Sequence, residues 1–310
     1  ALVIGVIFVV LAGLIFATTA WHVLPSVCKV IMVLGGSGLF FGASWAAEKY
    51  FKIERTGQAF YILGSVFLFL TILAAGYFGL LGPEFILKGE NRYRVLLAGS
   101  IATEIALFSK IRRFHNKVYT QACLWGMTVS MCFLMGALKL EWPDCMNGMM
   151  YYSFLLIGGN EVYRRKSGLQ GSMNAPADRF IDEFMGEFGL FAVLQFWIIS
   201  GMMAYKAVAG GIGFIIGILF LGIWEVKFWD TLAFGLMAAG TALVALRRRS
   251  PEMKMLHSLT MMIFFQYAGF CIPVDFTYQV FLGAAMTAVW FLAERRFKNP
   301  LNNLAGGCVF

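Results

Sequence analysis

Charged side chains are scarce in this chain: Asp, Glu, Lys and Arg make up 14% of its 310 residues. A soluble domain carries about 25%, so a surface this poor in charge excludes an ordinary water-facing globule. Histidine is scarcer still. His22, His115 and His257 are the only three; they stand apart from one another, and no His-Glu-x-x-His occurs. The six cysteines (Cys28, Cys123, Cys132, Cys145, Cys271, Cys308) show no Cys-x-x-Cys and no histidine at zinc spacing, which argues against a metal centre. Most lie in apolar runs, where cysteine behaves as a small hydrophobe. Cys145 and Cys271 both fall near expected outer turns, which leaves a disulfide between them open. Cys308 is followed by two residues, one too few for a prenylation box. Acidic pairs at catalytic spacing are missing, as is Gly-Lys-Ser/Thr, so no phosphate cradle is expected. Gly36-Ser37-Gly38 lacks the strand–turn–helix setting of a nucleophile elbow. No catalytic, cofactor-binding or metal-binding residue is expected, and an enzyme is the less favoured class.

What the chain does have is apolar length. Hydrophobic residues make up 60%, and the mean hydropathy is +0.75. Stretches of roughly 20 such residues are long enough to span a bilayer. The expected fold is therefore all-α: a polytopic transmembrane bundle of repeated antiparallel helical hairpins, with about ten or eleven spans. Residues 1–310 read as one integral membrane domain. Ala1 falls in mid-helix with no charged segment before it, so the chain reads as an excerpt of a longer one rather than as starting with a signal peptide.

The formal charge is +8, yet the cations gather at the ends of apolar runs, which is the positive-inside pattern rather than a nucleic-acid footprint. Five clusters hold 18 of the 25 Lys and Arg: Lys49, Lys52 and Arg55; Lys110, Arg112, Arg113 and Lys117; Arg164, Arg165, Lys166 and Arg179; Arg247, Arg248, Arg249 and Lys254; Arg295, Arg296 and Lys298. They close hairpins of roughly 40 to 55 residues. The expected location is the bacterial cytoplasmic (inner) membrane, with the basic hairpin ends cytoplasmic and the Trp21–Pro25 turn outside. Trp21, Trp142 and Trp229 sit at outer turns as interfacial anchors.

Expected spans run over about 1–20, 26–47, 59–81, 95–108, 118–138, 148–163, 188–205, 207–225, 231–246, 254–270 and 277–292. Gly38 and Gly42 form a small-xxx-small step for close helix contact. Ser167 to Arg179 is the long polar loop, and Phe180 to Glu187 alternates apolar and acidic residues as a short interfacial helix would; 167–187 is thus a cytoplasmic loop plus interfacial helix. Three apolar runs between the third and fourth basic clusters conflict with parity, since both clusters should lie inside. The candidate for the odd run is Phe188–Tyr205, with Glu187 and Gln195 in or beside it.

The stretch Ala20-Trp21-His22-Val23-Leu24-Pro25-Ser26-Val27-Cys28-Lys29 and the later Gly57-Gln58-Ala59-Phe60-Tyr61-Ile62-Leu63-Gly64-Ser65 resemble bacterial predicted membrane proteins of the domain-of-unknown-function family 2157. Trp21, Leu24, Pro25 and Lys29 carry the likeness, which covers about the first 85 residues. It implies a multi-hairpin inner-membrane protein with a short cytoplasmic segment before the first helix, and implies no activity. Ala74 to Leu80 departs from the family, which tends to carry a polar Gln- and His-containing stretch there.

Polar residues inside apolar runs are the remaining candidates. Glu104 lies about 9 Å along its helix from Lys110; a carboxylate at that depth marks an ion or substrate path, or else pairs with Lys110, Arg113 or a neighbouring helix. Gln195 and Gln266 join it as candidate intramembrane polar residues, with helix cementing as their ordinary role. Asn160 and Glu161 follow Gly158-Gly159 beside Arg164 and Arg165. Those four residues read as a surface ion-pair cluster or as a headgroup or partner site. The expected partners are the lipid bilayer and, beyond it, an anionic lipid or a membrane-protein partner; nucleic acid is not among them. The favoured reading is a non-enzymatic structural, accessory or lipid- or partner-binding membrane protein. The alternatives are a secondary transporter or permeation protein with Glu104 in its path, and a lipid-modifying enzyme.

Overall fold

The structure is a computed structural model. It describes residues 25–87, 89, 91–114, 116–170, 176–220, 227–248 and 251–296, without the side chains of 166–179, 210–220, 248, 251, 276 and 293–296. The described residues form nine α-helices and no strand. They are α1 (Ser26–Lys49), α2 (Glu54–Tyr77), α3 (Arg92–Ser109), α4 (Lys117–Ala137), α5 (Trp142–Gln170), α6 (Pro176–Phe220), α7 (Phe228–Arg248), α8 (Pro251–Phe270) and α9 (Phe276–Arg296), with a single 3-10 turn at Pro83–Phe85. The fold is an all-α bundle. In a bilayer an extended backbone would leave its polar groups unbonded, and a helix satisfies them within one segment.

Proline sets the breaks. Pro25 precedes α1 and its carbonyl accepts from the Lys29 N–H; Pro176 and Pro251 are the first residues of α6 and α8. At these positions the missing N–H costs nothing. Pro83 opens the 3-10 turn, and Pro273 lies between α8 and α9. Asn116 caps α4, accepting from the Val118 N–H at 3.2 Å.

Among the described residues five stretches are long and apolar enough to cross a membrane: Ser26–Lys49, Glu54–Tyr77, Lys117–Ala137, Phe180–Ala209 and Phe228–Arg247. This is fewer than the ten or eleven expected, partly because the expected first span, 1–20, lies outside the described residues. Helix α3 falls short through composition, since Arg92, Arg94 and Glu104 share its 18 residues. Arg94, one of the seven cations outside the five clusters, is ion-paired with Glu84.

Contacts divide the chain into two compact units, 1–139 and 140–310. In the first, α2 packs on α1 and α3, and α3 packs on α4. Small residues make these contacts: Ser37 Oγ donates to the Gly64 carbonyl at 2.8 Å, and Ser44 Oγ to the Gly57 carbonyl at 2.7 Å. Gly64 takes the Phe41 ring and Gly99 the Phe69 ring. The Gly38–Gly42 step does not form a contact: both are exposed and nothing lies within 4 Å of where a Cβ would stand. The helix is rotated so that Gly36, Ser37 and Ser44 face α2 instead.

In the second unit α5 packs on both α6 and α7, α7 on α8, and α8 on α9. The buried side of α6 is Phe191, Ala192, Gln195, Phe196, Ile199, Ser200 and Met203, a stripe at helical period. Met146, Met149, Met150, Leu156 and Ile157 of α5 and Phe234, Met237, Ala238 and Val244 of α7 are likewise buried. Phe196 is completely buried and fits against Gly240 of α7.

Three expectations fail here. Residues 167–170 complete α5 and 176–179 begin α6, so helix occupies most of the expected polar loop; 171–175 lie outside the described residues. Phe180 to Glu187 is not a separate interfacial helix but the continuous start of α6, with Phe180, Phe184 and Phe188 stacked along one side. Phe188–Tyr205 is not the odd run, because it forms the packed body of α6. Helix continues from it through Ala207 to Phe220, with 221–226 outside the described residues. The two apolar runs are one helix because no residue between them breaks it. Cys145 and Cys271 are free thiols: Cys145 Sγ lies 3.5 Å from the Leu140 carbonyl, and Cys271 Sγ lies 2.9 Å from Thr231 Oγ1.

Candidate functional site

Near their basic ends α5, α6 and α7 leave an open cleft of about 520 Å³. Helix α5 contributes Asn160, Glu161, Tyr163 and Arg164, α6 contributes Asp182, Gly186 and Gly189, and α7 contributes Arg247; Leu190, Val193, Leu243 and Val244 form apolar walls. The residues fall into two halves. A shallower groove between α5 and α7 is lined by Glu161, Arg164, Arg165, Leu243, Leu246 and Arg247. Asp182, Gly186 and Gly189 belong to the other half, towards α6.

Local geometry assigns the charges. Arg165 Nε pairs with Glu161 Oε1 at 2.9 Å, one helical turn apart, which is the arrangement that i,i+4 spacing favours. Tyr163 Oη donates to Asp182 Oδ1 at 3.3 Å. Asn160 is buried, 5% exposed, and its Oδ1 has no hydrogen-bond partner. Gly189 makes room for it: a Cβ there would lie 3.0 Å from Asn160 Nδ2. A buried amide oxygen left unbonded costs about 1–3 kcal/mol, so its position on the cleft wall is the feature most in need of a chemical reason.

All four candidate headgroup residues thus lie on this surface, three along the cleft and Arg165 along its groove. Asp182 and Arg247 complete it and were not grouped with them, because each lies on another helix, far away in sequence. The glycines of α6, spaced one turn apart beside an acidic residue, were the available signal.

The three intramembrane polar candidates occupy separate settings. Glu104 of α3 is directed at α4, where a Cβ on Gly126 would overlap its carboxylate, and its Oε2 is buried without a hydrogen-bond partner. It is not paired with Arg113, which instead bonds Glu48 Oε2 at 2.6 Å; Lys110 lies 5.9 Å from the Tyr61 ring centre. Gln195 is 1% exposed within the buried stripe of α6. Gln266 of α8 faces Gly283 of α9, where a Cβ would stand 2.7 Å from its Oε1. Of the family-like residues, Trp21 and Leu24 lie outside the described residues, Pro25 precedes α1, and Lys29 Nζ sits 5.3 Å from the Phe78 ring centre.

At the far end of the same three helices is a network that sequence reasoning missed. Lys206 Nζ of α6 donates to the Pro143 carbonyl at 3.0 Å, to Asn147 Oδ1 at 2.9 Å and to Asp230 Oδ1 at 2.6 Å. Asn147 Nδ2 donates to the same carboxylate oxygen at 2.7 Å. Beside it Lys227 pairs with Asp144 at 3.4 Å, and this bond and charge raise the Lys227 pKa above the usual lysine value. Lys206 is one of the seven cations outside the end clusters, which was the only signal in the sequence. A second buried cluster joins α7 and α8: His257, 2% exposed, places Nδ1 3.1 Å from the Ala238 carbonyl and 3.2 Å from Thr241 Oγ1. The carbonyl makes Nδ1 the protonated nitrogen.

Comparison of the chain with protein-family models, with curated proteins and with solved structures finds no match. Among the described residues no three His, Cys, Asp or Glu side chains are grouped as metal ligands.

Proposed function

We propose that this chain is a multi-pass protein of the bacterial cytoplasmic membrane that binds the phosphate of a lipid headgroup in the cleft of α5, α6 and α7, in a structural or accessory rather than a catalytic role. The observation that carries the reading is that Arg164 of α5 and Arg247 of α7, far apart in sequence, line one cleft. Guanidinium groups match phosphate in geometry and charge, and the walls supplied by Leu190, Val193, Leu243 and Val244 suit the acyl end of a lipid. The positive-inside pattern puts this end of the helices at the cytoplasmic surface. Lys206 and Asp230 then lie at the outer end, which gives α6 and α7 one crossing each and satisfies parity between the basic clusters.

The test is phospholipid retained by the purified protein in detergent. Replacing Arg164 and Arg247 together by Gln should lower retained phospholipid by about tenfold, the loss of roughly one charge-assisted contact. Retention unchanged by the double replacement would remove the reading.

A secondary transporter or permeation path is favoured by one observation, the buried Glu104 Oε2 without a hydrogen-bond partner. On that reading Glu104→Gln abolishes proton- or substrate-coupled flux in proteoliposomes; undiminished flux rules it out.

A further inference from the structure

We propose that the headgroup taken by this cleft carries a protonated primary amine as well as a phosphate, so that the ligand class is an aminophospholipid; this rests on the lipid-binding reading above. The cleft is bipolar. Arg164 and Arg247 gather in the groove between α5 and α7, together with Arg165 and the Glu161 it pairs with, whereas Asp182 stands on the side of α6. A simple phosphate or an acidic headgroup satisfies the first half and is repelled by the second.

The acidic side sharpens the choice. Asp182 asks for a donor: it accepts one hydrogen bond from Tyr163, and a carboxylate has room for about three more. A glycerol headgroup can donate to Asp182 but brings no positive charge to it. A choline headgroup brings the charge but has no N–H. A primary ammonium supplies both, with three donors on one centre, while the phosphate next to it meets the arginines.

Gly186 provides a way to close the cleft without disturbing the protein. It lines the cleft, and a Cβ there meets nothing within 4 Å. Gly186→Leu therefore intrudes on the site from a position where its Cβ meets no clash.

The experiment is native mass spectrometry of the detergent-purified chain titrated with dioleoyl phosphatidylethanolamine, phosphatidylglycerol or phosphatidylcholine, and with soluble phosphoethanolamine. The ethanolamine lipid should bind about tenfold more tightly than the other two lipids, one charge-assisted hydrogen bond's worth, and more tightly than phosphoethanolamine. Asp182→Asn should bring the ethanolamine and glycerol lipids to near-equal affinity. Gly186→Leu should abolish binding of every lipid with the melting temperature unchanged. Equal binding of the ethanolamine lipid and either other lipid to the unaltered protein overturns the amine and leaves the phosphate reading standing. Lipid binding that survives Gly186→Leu overturns both. Phosphoethanolamine binding as tightly as its lipid overturns the lipid class.

Discussion

In the unit of residues 1–139, helices meet through serine and glycine: Ser37 and Ser44 bond the carbonyls of Gly64 and Gly57, and rings of Phe41, Phe67 and Phe69 sit on Gly64, Gly36 and Gly99. In the unit of residues 140–310 the buried faces of α5, α6 and α7 are rich in methionine and phenylalanine, and polar groups gather at the Lys206–Asp230–Asn147 network, at the His257–Thr241 cluster and at the cleft beside Asn160. The first arrangement brings backbones close, so that van der Waals contact and short hydrogen bonds hold the helices where lipid offers no hydrophobic driving force. The second fills the space between α5, α6 and α7 with large side chains. It leaves an open cleft of about 520 Å³ between its helices, and buried charge holds the opposite end together.

The contrast makes opposite demands on substitution. The largest effect is expected at the charge network. Lys206→Met leaves Asp230 nearly buried beside an uncharged chain and should destabilise the protein by about 4 kcal/mol, read as a fall in melting temperature in detergent. Adding Asp230→Leu should recover most of it; no recovery would mean that the network does not act as a unit. Phe196→Ala comes next, at about 3 kcal/mol, because it opens a cavity in a fully packed site.

In the first unit enlarging should hurt instead. Gly64→Val puts a Cβ 2.8 Å from the Phe41 ring and should cost about 2 kcal/mol by overpacking, whereas Gly38→Ala, at an open position, should leave the melting temperature unchanged or raise it slightly. If Gly38→Ala destabilises as much as Gly64→Val, the assigned rotation of α1 is wrong. The smallest effect is at Lys227. Its pKa is raised in the folded protein by Asp144, so the stabilisation is present below the ordinary lysine pKa and lost as pH rises through the folded value. Asp144→Asn should remove that alkaline component of a melting-temperature-against-pH curve and little else.

How far residues could be placed from the sequence follows the same division. Asn160, Glu161, Arg164 and Arg165 were legible as a candidate because they sit where a glycine pair, a polar pair and a basic cluster interrupt an apolar run. Their partners were not: Asp182 read as part of an interfacial helix, and Arg247 as a topology signal. Gly38 and Gly42 were chosen for spacing alone, and the contact falls one residue over at Ser37. Glu104 was legible as a buried acid, but its neighbour Gly126 has no side chain to announce it.

By itself the sequence determined that the chain is helical and membrane-suited, that a helix begins after Pro25, and which ends carry the cations. These follow from composition and local chemistry, because a bilayer admits a helix whatever its neighbours are. Only the tertiary structure decided that two apolar runs make one helix, which glycines are covered, that Lys206 reaches Asp230, and that Asn160, Arg164, Asp182 and Arg247 line one cleft. The reason is that lipid is as apolar as a packed interface. A helix with apolar residues all round carries no stripe to say which face turns inward, and its rotation is set by the helices beside it.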